Sequence, residues 1–251
     1  MARRLRSEAA RQADLNDIYY WNRANFEGLV SLAVALRADP RLEGLAAYCD
    51  LREKGLRRDA FVRLQAFLEQ TQRLEVRVQR ELALQVLEAH WKTPEAHHFL
   101  TVPLREKFLE RVLEEWRASD INDPVPLRCL ALLRWDRDLL EQALRADPKD
   151  ACVRVALARL FIGAVDHATH HLVEGRFLGD EAEAFAALAR AASLLDGVAN
   201  SPSLSSMQQV VEQLNALLCD WRQYRQTPEG SFPDWCRARG RNHEWWSIVY
   251  Y

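Results

Sequence analysis

The chain has 251 residues, 49% of them hydrophobic and 28% charged, enough length and apolar content to bury a core. Its formal net charge of −2 supplies no global attraction to nucleic acid or to an anionic membrane surface, so neither class of partner is expected. Only nine glycines and nine prolines interrupt a chain dominated by Ala, Leu, Arg and Glu, which lose little side-chain freedom on a helix.

Taken in chain order, the opening Met1-Ala-Arg-Arg-Leu-Arg-Ser-Glu8 is basic but leads into no apolar run. A secretory signal is therefore not expected, and no later run is long enough for a membrane span. Phe26 to Leu36 is apolar at helical spacing and ends at Ala38-Asp39-Pro40, where Asp39 suits an N-cap and Pro40 the first turn of a second helix. That helix should stop near Gly55, a natural left-handed C-terminal cap. Two more follow, over Asp59–Leu74 and Leu74–Trp91, with a stop at Thr93-Pro94. Leu104, Phe108, Val112 and Trp116 form an i, i+4 stripe, and Asn122-Asp123-Pro124 with Pro126 predicts a loop. Short helices are predicted over Leu127–Leu133 and Leu139–Leu144, and a long one over Val153–Leu172 with Gly163 inside it. Ala184–Leu195, a long amphipathic helix opened by Ser201-Pro202, and a last short helix opened by a Ser231-Phe-Pro-Asp234 capping box complete the series. No stretch alternates apolar and polar residues over a strand's length.

The hexapeptide Ala-Leu-Arg-Ala-Asp-Pro occurs at 35–40 and again at 143–148, the second time within Leu139–Ala158. This junction resembles that between tetratricopeptide repeats, where one helix ends at Asp-Pro and the next opens with small and apolar residues. The two copies lie 108 residues apart, near three repeats of about 34. The resemblance implies an all-α fold of about ten helices in stacked antiparallel pairs, with a compact multi-helix bundle as the alternative. Residues 1–225 are expected to form one domain with a joint near 122–126, and residues 226–251 an aromatic segment that caps the last pair.

Five cysteines, Cys49, Cys129, Cys152, Cys219 and Cys236, are odd in number, widely spaced and without a CxxC pair. They read as free thiols of a reducing, cytoplasmic setting. The most suggestive chemistry is Asp166-His167-Ala-Thr-His170-His171-Leu-Val-Glu174. On a continued helix, His167 and His171 are i, i+4 neighbours and Glu174 follows at i+3, a set that suits a divalent metal. A helical wheel puts His171 within the apolar stripe of Leu157, Leu160, Phe161, Ala164 and Ala168. His167 and Glu174 fall at its edge, and Asp166 and His170 face away. No HExxH, GxSxG or glycine-rich phosphate loop is present, so no catalytic residue is assigned.

Aromatics gather near the start, at Tyr19, Tyr20 and Trp21, and near the end, from Trp221 and Tyr224 to Tyr251. In the second group Arg222, Arg225, Arg237, Arg239 and Arg241 are interleaved, and Trp235, Arg237, Trp245 and Trp246 are the expected partner contacts. The leading expectation is a non-catalytic scaffold for a protein or peptide, comparable with bacterial adaptors, secretion chaperones or toxin-neutralising partners. The alternative is a metal- or small-ligand-binding protein centred on His167, His171 and Glu174.

Overall fold

The computed structural model describes residues 23–199 and 202–243. Tyr19, Tyr20, Trp21, Trp245, Trp246, Tyr250 and Tyr251 lie outside the described residues. Eleven helices and no strand form among the described residues, and none of these helices is long and apolar enough to cross a membrane. The chain divides into two compact units, residues 1–129 and 130–251.

The first unit begins with α1 (Arg23–Leu36), which buries Leu29, Leu32, Ala33 and Leu36, the i, i+3, i+4, i+7 face of a helix. Asp39 caps the next turn of chain by accepting from the Arg41 N–H at 2.9 Å. The Arg41 guanidinium binds the same carboxylate and holds it well below the usual range, at about 2. Sequence predicts an α-helix from Pro40; instead one 3-10 turn (Pro40–Leu42) precedes α2 (Glu43–Glu53). The helix ends as expected at Gly55, with φ +73°. There the Leu56 N–H donates to the Leu51 carbonyl and the Gly55 N–H to the Arg52 carbonyl, the paired bonds of a Schellman motif.

Next come α3 (Arg57–Gln72) and α4 (Val76–Lys92). α2 packs on α1 and α3, while α4 returns to α1. Buried Gln79 on α4 donates to the Leu74 carbonyl at 2.8 Å and accepts from Arg111 at 2.7 Å. That arginine belongs to α5 (102–119), which is α-helical at both ends and a π-helix over Arg105–Glu110. The wider turn widens the predicted stripe, so Leu109 and Leu113 are buried beside Leu104, Phe108 and Val112. Trp116 is only half-buried, beneath the Arg80 guanidinium.

The last turn of α4 carries His90, whose ring lies 5.8 Å from that of Phe99 in the connection to α5. Burial pushes His90 below its ordinary value, so the folded state favours the neutral ring. The folded value lies below the unfolded one. This group's contribution is therefore complete above the unfolded value, about 6.5, and lost as pH falls through it. We expect the urea midpoint of the protein to fall between pH 7 and pH 5, and to fall less in His90→Gln. An identical pH slope in that variant would remove His90 as a source of the acid sensitivity.

α6 (Pro124–Arg134) opens where sequence predicts a loop: Asp123 accepts from the Val125 N–H, and Pro124 occupies the first turn, where its missing N–H costs nothing. The division between the units falls within this helix.

The second unit continues with α7 (Arg137–Ala146), α8 (Ala151–Thr169), α9 (Glu181–Leu195), α10 (Pro202–Gln226) and α11 (Phe232–Ala238). Asp136, Asp150, Asp180 and Ser231 cap the starts of α7, α8, α9 and α11 through their side-chain oxygens. The start of α8 is Asp150, not Asp147-Pro148 as expected. Asp147 instead turns the chain by accepting from Lys149. α8 packs on α7 and most extensively on α9, α10 packs on both α8 and α9, and α11 packs on α10. Arg154 of α8 fixes the far end of α9 by donating to the carbonyls of Ser193, Leu194 and Asp196.

Candidate functional site

The histidine segment does not continue α8. Thr169 turns its hydroxyl back to the carbonyls of Val165 and Asp166, which offers the backbone an alternative to further helix. The helix ends there, His170 is its cap, and a 3-10 turn (Leu172–Glu174) follows. Gly175 takes φ +74°, closed to most residues with a Cβ. The His171 carbonyl then accepts from the N–H groups of Glu174 and Arg176, and the Ala168 carbonyl accepts from Leu178. These bonds reverse the chain and deliver Leu172 and Phe177 to the aromatic cluster of the second unit.

The predicted metal set is correspondingly rearranged. Sequence places His171 in the core stripe, but its side chain is 27% exposed, with Nδ1 3.3 Å from the Glu174 carboxylate. His167 does not join that pair. Its ring lies 5.3 Å from His170, which in turn lies 3.9 Å from His171, so the residue expected to face away sits in the middle of the series. Ala164 is exposed, while Val165 and Thr169 take the buried positions. Among the described residues, no group of three or more His, Cys, Asp or Glu side chains is arranged to hold a metal ion.

The expected partner contacts also divide. Trp235 is only 3% exposed and packs with Leu172, Trp221, Phe232 and Cys236, so it serves the interior and not a surface. Arg237 is exposed and pairs with Asp234. Trp245 and Trp246 lie outside the described residues. Burial and the nearby Asp220 carboxylate push the Cys236 thiol up to about 11, which keeps it protonated and disqualifies it as a nucleophile. Asp220 is itself buried and pins the chain after α11, through His243 at 2.8 Å and Arg241 at 3.6 Å.

The turn and the cluster together create an open cavity of about 490 Å³ at the start of α9. Half-buried Phe177 and exposed Ala182 give it a small apolar wall backed by the buried Trp221 ring; Arg222 and Arg225 flank it from α10. Gly179 and Asp180 form its edge, with Gly179 at φ +106°, where a Cβ would be strained. The Asp180 carboxylate is spent within the helix, accepting from the Ala182 and Glu183 N–H groups. Glu181 is engaged twice, by the Trp221 indole N–H at 3.1 Å and by the Arg225 guanidinium. Arg222 stacks over the Phe185 ring at 4.0 Å and has no carboxylate partner among the described residues. An arginine placed over an aromatic ring can still offer its N–H groups as hydrogen-bond donors.

No family model matches the chain, and no curated protein or solved structure resembles it significantly.

Sequence reasoning singles out Trp221, Arg222 and Arg225 within the aromatic and arginine-rich end of the chain. It misses Phe177, Glu181 and Ala182. The signal available for these is the Gly179-Asp180 pair ahead of an alanine-rich helix, which marks a helix start but not what faces it.

Proposed function

We propose that this protein is a non-catalytic helical scaffold of the cytoplasm, and that its second unit holds a peptide segment of a partner protein in the groove at the start of α9. The observation that carries this reading is the groove itself. A cavity of about 490 Å³ falls within the range of ligand-sized clefts, and it sets a small apolar wall of Phe177 and Ala182 beside two arginines, a residue type favoured at recognition hot spots. The groove is built on helices whose ends are fixed by Asp180 and Arg154, so a bound segment would meet a preorganised surface.

The packing of α8 on α9, and of α10 on both, supports the reading of stacked helix pairs similar to tetratricopeptide repeats. Five free cysteines, three of them buried, support a reducing compartment.

A random heptapeptide library selected on the full chain tests the proposal. Enriched peptides are expected to compete with one another and to lose at least about tenfold in affinity against Ala182→Trp. That exposed position lines the groove, so the larger side chain fills it without entering the core. Peptides that bind wild type and Ala182→Trp equally would place recognition elsewhere and end this reading.

A further inference from the structure

The chemistry of the groove's occupant follows from its charges. Four ionisable side chains line the cavity, and three are already committed. Asp180 caps its own helix, and Glu181 and Arg225 are paired. The fourth, exposed Arg222, lies over the Phe185 ring and is unmatched by any carboxylate among the described residues. The small apolar wall of Phe177 and Ala182 beside an unmatched guanidinium suits an apolar group beside a carboxylate, because a guanidinium offers a planar pair of N–H donors that a carboxylate accepts two at a time. Glu181 is informative here. Its carboxylate, only 18% exposed, already accepts from the Trp221 N–H and from Arg225 within the same cavity. A carboxylate is thus the group these donors take, and an incoming one would compete with Glu181 for Arg225.

Resting on the partner-peptide reading above, we propose that the groove recognises an acidic segment, in which an Asp or Glu side chain beside an aromatic residue docks on Arg222 and contends with Glu181 for Arg225. The arrangement makes Glu181 an internal competitor that tunes affinity. Neutralising it should strengthen binding, and removing Arg222 should weaken it.

The probe is a peptide blocked at both ends, acetyl-Ser-Glu-Phe-Glu-Ser-amide, with acetyl-Ser-Gln-Phe-Gln-Ser-amide as its uncharged match. Each is titrated into the nitrogen-15-labelled full chain. The readouts are the backbone amides of Gly179 and Ala182 and the Arg222 Nε–H resonance. The acidic peptide is expected to shift these signals saturably and the uncharged one at least about tenfold more weakly. Arg222→Gln should weaken the acidic peptide by about tenfold, with the second unit's spectrum away from the groove unchanged to show that this unit still folds. Glu181→Gln, which keeps an acceptor for the Trp221 N–H, should tighten it by about threefold to fivefold. Added salt should weaken it. Equal binding of both peptides would overturn the acidic assignment and leave the groove as a peptide site. So would weaker binding in Glu181→Gln. No shift with either peptide up to about 1 mM would overturn it as well, and the library selection would then decide separately whether the groove binds peptides at all.

Discussion

Gly28→Ala is expected to destabilise the first unit by about 3 kcal/mol, a large effect for the addition of one methyl group. α1 approaches the chain after α4 so closely that a Cβ on Gly28 would lie 2.6 Å from the Ala96 nitrogen and 2.9 Å from the Glu95 carbonyl carbon. Both are backbone atoms, so no side chain can swing aside. The contact is held nearby by Asn25, whose side-chain amide oxygen accepts from the His98 N–H, and by buried Ala96 and Phe99. The sign of the effect makes the test decisive. On an isolated helix, replacing glycine by alanine stabilises by about 1 kcal/mol, because alanine loses less backbone entropy. Urea denaturation of the two proteins reads the difference. A midpoint that falls supports the close approach, whereas one that rises would mean that α1 does not meet the 95–96 backbone.

Phe232→Ala is expected to cost about 4 kcal/mol in the second unit and to loosen the groove at the same time. Phe232 is 1% exposed and meets the Trp221 ring edge-on, with centroids 5.1 Å apart and planes at 81°. Its ring also lies 5.3 Å from Tyr224 and 6.3 Å from Trp235. Removing it opens a void between α10 and α11 that these large rings cannot close without leaving their rotamers. Because Trp221 is both a wall of this cluster and a lining of the groove, peptide affinity should drop together with stability. Thermal unfolding and peptide titration on the same samples check the pair. A variant that unfolds early but binds the selected peptides as before would separate the cluster from the groove.

Helices are legible wherever the signal is local. Asp39 before Pro40, Gly55 as a left-handed cap and Ser231 with Asp234 each act through bonds within a few residues, and each stands in the structure as its sequence suggests. The resulting all-α fold of eleven described helices matches the expected ten or so. Legibility ends where a choice depends on competing local bonds or on distant partners. The wheel through His171 assumes an uninterrupted helix, but the Thr169 hydroxyl and the left-handed Gly175 end it first, and the turn redirects every histidine. The π-helix of Arg105–Glu110 adds a residue per turn that a regular period cannot reveal. Trp235 looks like a surface aromatic because sequence shows its arginine neighbours but not Phe232, Trp221 and Leu172 around it. The groove is half legible: Trp221 and Arg222 stand out by type, while Phe177 and Glu181 become neighbours only through the packing of α9 on α10 and the turn after α8.

Calorimetric titration of one library-selected peptide into wild type and into Ala182→Trp is the most direct measurement of the central claim. The groove reading predicts one site per chain in the wild type, and a loss of at least about tenfold in the variant with the fold intact. The same affinity in both proteins would contradict it.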